Sequence, residues 1–156
     1  MQRGNSMEKE NEKEKELELI TLRINDVTFG INSDYVVSID KELLSEDVPS
    51  DSALIERMVA FRGQIIPQVS LGKILFGLTS EENDKCVDIV CTVNGNMVAL
   101  RTESVDSIIK SDTSKIIERG PILSSHAHEV SGFLQENDKT IVEILDIEQV
   151  VKDLEQ

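Results

Sequence analysis

The chain has 156 residues, 30 acidic against 16 basic, for a formal net charge of -14, with 3% aromatic residues and no Trp. That length buries one modest core, or two very small ones sharing a wall. The charge repels polyanions and opposes counterion release on DNA or RNA, and the scarcity of rings removes the stacking platforms of single-strand binders, so nucleic acid and anionic membranes are poor partners.

No uninterrupted apolar run exceeds four residues, as at Met58 to Phe61, against the roughly 20 that a membrane helix needs, so no direct membrane insertion is expected. The N-terminus lacks the apolar segment of a secretory signal, which predicts a cytoplasmic protein with reduced thiols. Residues 1–6 read as an expression scar ahead of a second start at Met7. Glu8 to Glu18 holds six Glu and three Lys with Leu17 as its single apolar residue, too little to offset ordering entropy. Residues 1–17 are therefore expected to be a disordered charged tail and 18–154 a single domain.

From Leu19 onward, short alternating runs punctuated by turn residues predict strands. Thr21–Ile24 and Val27–Ile31 flank Asn25-Asp26, which tolerate the left-handed conformations of a tight turn, and Leu22 and Ile24 share one face. Asp34 to Ile39 reads as a turn of helix. Met58–Phe61 and Gln64–Leu71 flank Arg62-Gly63, and Pro67, lacking an N–H, points to an edge or a bulge in the second of these runs. Leu71 to Phe76 reads as a helix stopped by Gly77. After the polar stretch Thr79 to Lys85, Val87–Val93 and Met97–Arg101 flank Asn94-Gly95-Asn96, the clearest hairpin signal of the chain. Cys86 and Cys91, five apart on one strand, fall on opposite faces, so neither a disulfide nor shared metal ligation is expected. Ser131–Leu134 and Thr140–Leu145 flank a longer polar loop. Finally, Asp146 caps a helix with Gln149 three residues on, and Ile147, Val150, Val151 and Leu154 recur along one face. The pattern predicts a mainly β fold of two small antiparallel barrels packed together, approximately 18–80 and 81–145, with the helix 146–154 as a clasp.

Catalytic machinery is sparse. Neither a Walker-type loop nor Gly-x-Gly-x-x-Gly occurs, which removes nucleotide binding. Glu103 and Asp106 pair no more meaningfully than any two of the 30 acidic residues. His126-Ala127-His128-Glu129 is a candidate for metal ligation without a third ligand of fixed spacing. Arg62, between Phe61 and Gly63 and two apolar runs, is either an exposed turn residue or an arginine that orients a partner beside an apolar surface.

The segment Ala53 to Leu71, with Phe61-Arg62-Gly63 followed by Ile65-Ile66-Pro67-Gln68-Val69-Ser70-Leu71, resembles the "NLRG" and "IIPVIDL" stretch of CheW-like coupling proteins. In family order, Thr21–Ile31 is similar to the opening strand pair, Val36–Ile39 to "VREI", and Phe76-Gly77-Leu78 to "FGL". Val105–Ile109, Gly132-Phe133-Leu134 and Glu143–Val151 resemble the second half. The resemblance runs from about Glu18 to Leu154. It implies two five-stranded Src-homology-3-like barrels and a non-enzymatic adaptor without a cofactor. The implied partners are the regulatory domain of a CheA-type histidine kinase and the cytoplasmic tip of a chemoreceptor (methyl-accepting chemotaxis protein). Arg62 and Gly63 match the motif, while Val36, Ile39 and Val105 match the apolar character of neighbouring contact positions. Ser38, Arg57, Ala60 and Ser70 depart from it, and with Ser38 and Ser70 Arg62 is expected to lose an orienting carboxylate. These departures leave open a decoy, or an adaptor in a non-motility pathway. A metal-dependent enzyme using His126, His128 and Glu129 is the alternative from another class.

Overall fold

The computed structural model describes residues 16–41, 43–46, 52–78, 86–118 and 127–154. The strands are β1 (Glu16–Ile24), β2 (Val27–Asn32), β3 (Val36–Asp40), β4 (Ser45–Glu46), β5 (Ile55–Phe61), β6 (Gln64–Ser70), β7 (Val87–Val93), β8 (Asn96–Thr102), β9 (Ser104–Asp112), β10 (Ile116–Glu118), β11 (Val130–Gln135) and β12 (Ile141–Leu145). Two α-helices, α1 (Leu71–Phe76) and α2 (Ile147–Leu154), accompany them.

Three hairpins turn where the sequence places them. Asn25 and Asp26 (φ 52° and 65°), Arg62 and Gly63 (φ 46° and 78°), and Asn94 and Gly95 (φ 51° and 83°) all adopt left-handed conformations, the pattern whose twist matches paired strands. Asn96 opens β8 instead of extending its turn. Gly77, at φ 68°, ends α1 with its N–H on Lys73. Asp146 caps α2 by accepting the Gln149 N–H at 3.0 Å; the Gln149 side chain, however, reaches forward to Asp153 instead of back to the cap. The residues from Gln64 to Pro67 pair with β5 alone, because the parallel ladder to β8 starts at Gln68, so the missing N–H of Pro67 falls on an edge-like stretch.

The strands form two sheets, ordered β10-β11-β12-β2-β1-β9 and β3-β7-β8-β6-β5-β4. The mainly β class and the two-unit plan hold, and each sheet has six strands rather than five because the short β4 and β10 add one edge apiece. The expected division at residue 80 does not hold. The first sheet draws on residues 16–32 and 104–145, and the second is the continuous stretch 36–102 between them. The interleaving is closed by a parallel pairing of β2 with β12, Phe29 opposite Glu143 and Gly30 opposite Ile144. Gly30 permits it: a Cβ there would stand 2.9 Å from Val142 Cγ1 and 3.1 Å from Leu19 Cδ1.

Two further expectations are corrected. The charged tail, taken as 1–17, gives up its last two residues to β1, because buried Leu17 packs with Leu19, Val142 and Ile144; residues 1–15 lie outside the described part. The helix expected over Asp34–Ile39 is a 3-10 turn at Ser33–Tyr35 followed by β3, since Val36, Ser38, Ile39 and Asp40 find partners on β7 and the β-branched Val36 and Ile39 suit a strand. The stretch Thr79–Lys85 is also outside the described residues.

Three apolar clusters hold the sheets. Leu17, Leu19, Leu134, Val142 and Ile144 fill the inner face of the first sheet, and Val59, Phe61, Ile66, Val90 and Ala99 that of the second. The largest cluster is common to both, joining Leu22, Ile24, Phe29 and Ile31 to Val69, Ile89, Cys91 and Leu100 under α1 and α2. β1 serves two clusters because Leu17 and Leu19 point one way and Leu22 and Ile24 the other. No helix among the described residues is long and apolar enough to cross a membrane.

Candidate interaction surface

The inner face of the second sheet carries a polar plug beside its apolar cluster. Asp88 is fully buried, accepts from Gln68 Nε2 at 2.9 Å and pairs with Arg101 Nη1 at 3.3 Å. Desolvation raises its pKa, which donation from Gln68 and the Arg101 charge only partly offset. Both cysteines are buried and neither is in a disulfide, and burial pushes the Cys91 thiol up to about 12, which leaves it inert as a nucleophile. Asp106 lies 3.9 Å from Arg23 on the surface.

The outer face is different. Ser45 stands opposite Val59, and the Ala60 N–H donates to the Leu44 carbonyl at 2.9 Å, which sets Leu44 beside Ala60 and Ala60 opposite Ile65. Paired positions share a face, so Leu44, Ala60 and Ile65 form one cross-strand row, and two residues along Met58 and Pro67 form the next. Leu44 is 78% exposed and Ile65 51%. The Arg62-Gly63 turn closes one end of this stripe. Arg62 is exposed, its guanidinium carbon 4.8 Å from the centroid of the buried Phe61 ring, and no carboxylate among the described residues pairs with it. Its left-handed backbone costs a non-glycine residue about 1 kcal/mol. At the flank, Ile65 and Pro67 also line a hollow of about 390 Å³ whose other walls include Met97, Val151 and Leu154.

Val36, Ile39 and Val105 lie elsewhere. A bulge on β3 between Val36 and Ser38 sets Val36 opposite Cys91 and Ile39 opposite Ile89, so both face the shared core side despite their odd spacing. Ile39 is 43% exposed, whereas Val36 and Val105 rest against the shared core from β3 and β9, edge strands of different sheets. Arg62 and Gly63 are separated from β3 by β7, β8 and β6, so the five residues do not form one patch. The exposed row starting at Leu44 escaped the sequence reading, because β4 is two residues long and leaves no alternation to follow. His126 lies outside the described residues. His128 is on the surface, 3.1 Å from Asp153 on α2, a partner 25 residues away.

A family model described as the CheW-like domain matches residues 18–155, nearly the whole foldable chain. The chain belongs to the CheW-like family. The fold agrees: "Crystal structure of scaffolding protein TtCheW from Thermoanaerobacter tengcongensis" superposes with a TM-score of 0.74 at 20% identity, covering 83% of this chain and 88% of that one. No curated protein sequence matches significantly. Each departure from the CheW-like motif has a local setting. Ser70 caps α1 by accepting the Lys73 N–H at 3.3 Å, and Ser38 donates to Asp40 at 2.7 Å. Arg57 reaches Ser45 at 3.4 Å across the β4–β5 pair, and Ala60 sits at the centre of the exposed apolar row.

Proposed function

We propose that this CheW-like chain is a non-enzymatic adaptor of chemotaxis signal transduction, acting in the cytoplasm to couple chemoreceptors to a CheA-type histidine kinase. The observation that carries the reading is the outward apolar stripe through Leu44, Ala60 and Ile65, ending at an arginine that rests over the Phe61 ring. A row of aliphatic side chains ending at a guanidinium with no carboxylate partner among the described residues suits domain-on-domain packing, in which an arginine and its apolar neighbours can supply most of the affinity. We assign this stripe to the regulatory domain of the kinase. The neighbouring hollow, walled by Pro67, Met97 and Leu154, suits the apolar side of a receptor helix. The depth of the inner-face carboxylate and the inertness of the buried thiol favour binding over chemistry. Ser38 and Ser70 are each engaged locally, so neither departure argues for a decoy.

Calorimetric titration with the regulatory domain of a CheA kinase encoded in the same genome tests the reading. Saturable binding at micromolar or tighter affinity is expected. Ile65→Glu should weaken it at least about tenfold, and Arg62→Ala by about 1–3 kcal/mol, with folding unchanged in both. Absence of heat and of any complex would overturn the kinase assignment.

A further inference from the structure

The Ala127–Glu129 3-10 turn lies against α2, and the contact brings together three side chains that the adaptor reading does not use. Nitrogen or oxygen atoms of His128, Glu129 and Asp153 all lie within 4.8 Å of one another. We propose that these three residues form a binding site for a borderline transition-metal dication of the zinc class, which clasps the C-terminal turn of α2 to the segment leading into β11.

The geometry is the first argument. His128 Nε2 stands 3.2 Å from Asp153 Oδ1 and 3.1 Å from Oδ2. A tetrahedral ion with ligand bonds of 2.0–2.1 Å has ligand atoms roughly 3.3–3.4 Å apart, so this pair is already separated by about one tetrahedral edge. The support of the donors is the second. Gln149 Nε2 donates to Asp153 Oδ1 at 2.9 Å, which holds the carboxylate from one side in the manner of an outer-shell partner. Glu129 is fixed through its backbone, whose carbonyl accepts the Asp146 N–H at 2.8 Å and so ties the turn to the start of α2.

Electrostatics is the third argument. Asp153 lies in the last turn of α2, where the helix presents its negative end, and Glu129 adds a second carboxylate. Two carboxylates and a helix C-terminus thus face one imidazole, in a chain whose net charge of -14 already draws cations. The mixed nitrogen and oxygen donor set selects against hard ions: calcium and magnesium take all-oxygen shells, whereas imidazole with carboxylate suits zinc. His128 is exposed and its two partners half-buried, so water completes the coordination from the open side. The ion has a mechanical consequence. Leu154, next to Asp153, lines the apolar hollow beside β6, so the clasp stiffens one wall of that hollow.

The test is a calorimetric titration of the metal-free, untagged full chain with zinc chloride, with magnesium chloride as the control. One equivalent of zinc and no saturable magnesium heat are expected. His128→Ala and Asp153→Asn should each weaken zinc binding about tenfold or more, the range by which even supporting partners of a metal site act. Zinc should also raise the melting temperature of the unsubstituted chain, and raise that of His128→Ala less at the same zinc concentration. Absence of saturable zinc uptake would overturn the proposal. So would undiminished binding by Asp153→Asn together with its loss in His126→Ala, which would put the ion on the two histidines instead.

Discussion

Asp88 has a hydrogen-bond donor on each carboxylate oxygen and still pays for its burial in proton affinity. Its folded-state pKa is raised chiefly by desolvation, so the folded chain holds that proton more tightly than the unfolded chain does. Its contribution to stability is therefore fully present below the ordinary carboxylate pKa of about 4 and is lost as pH rises through the higher folded value. Asp88→Asn removes this contribution. Denaturant melts across the acid range should show the unsubstituted chain losing stability relative to the variant as pH rises; parallel profiles would refute the assignment. None of this was legible in the sequence, where Asp88 is one acidic residue among 30; only the ladder that sets it opposite Arg101 distinguishes it. Arg62 shows the converse. Its turn could be read from the glycine beside it, but its seat over Phe61 depends on side-chain packing that no local pattern encodes.

At the scale of elements, the turns and caps were legible because their chemistry is local. Asp146 is the clearest case, since one carboxylate oxygen satisfies a first-turn N–H of α2. Asp146→Ala is expected to cost about 1 kcal/mol. That should lower the melting temperature by about 2–4 °C, measured by calorimetry, while the backbone bond from residue 146 to Glu129 survives. An unchanged melting temperature would mean that the shared core alone holds the helix. β3 was not legible for a physical reason: Val36, Val37 and Ile39 fit one face of a short helix as well as a bulged strand, and only the distant β7 decides between them. β9 was obscured similarly. Its ladder with β1 skips Asp106, and that irregularity breaks the alternation by which a strand is recognised.

For the molecule as a whole, the two-unit plan was legible and the division of the chain between the units was not. Antiparallel hairpins announce themselves through their turns, but the parallel pairings β2–β12 and β6–β8 join strands with no tight turn between them. Residues 18–80 hold β1 to β6 without the β9 and β12 that flank β1 and β2, and without the β7 and β8 that separate β3 from β6. Neither 18–80 nor 81–145 should therefore fold when produced alone, as read by amide dispersion in NMR spectra. A dispersed spectrum from either fragment would contradict the interleaved topology.

The parallel seam between β2 and β12 also governs the order in which the protein can take shape on the ribosome. The β1–β2 hairpin is made before every other described strand but meets its flanking strands only after the whole second sheet has been made. During that interval Leu22, Ile24, Phe29 and Ile31 have no finished first sheet to belong to, and the surface available to receive them is the growing second sheet, with which they share a core. Synthesis thus favours a nascent chain in which the inserted sheet matures around the waiting hairpin, and β12, made after the other described strands, locks the β1–β2 pair in place.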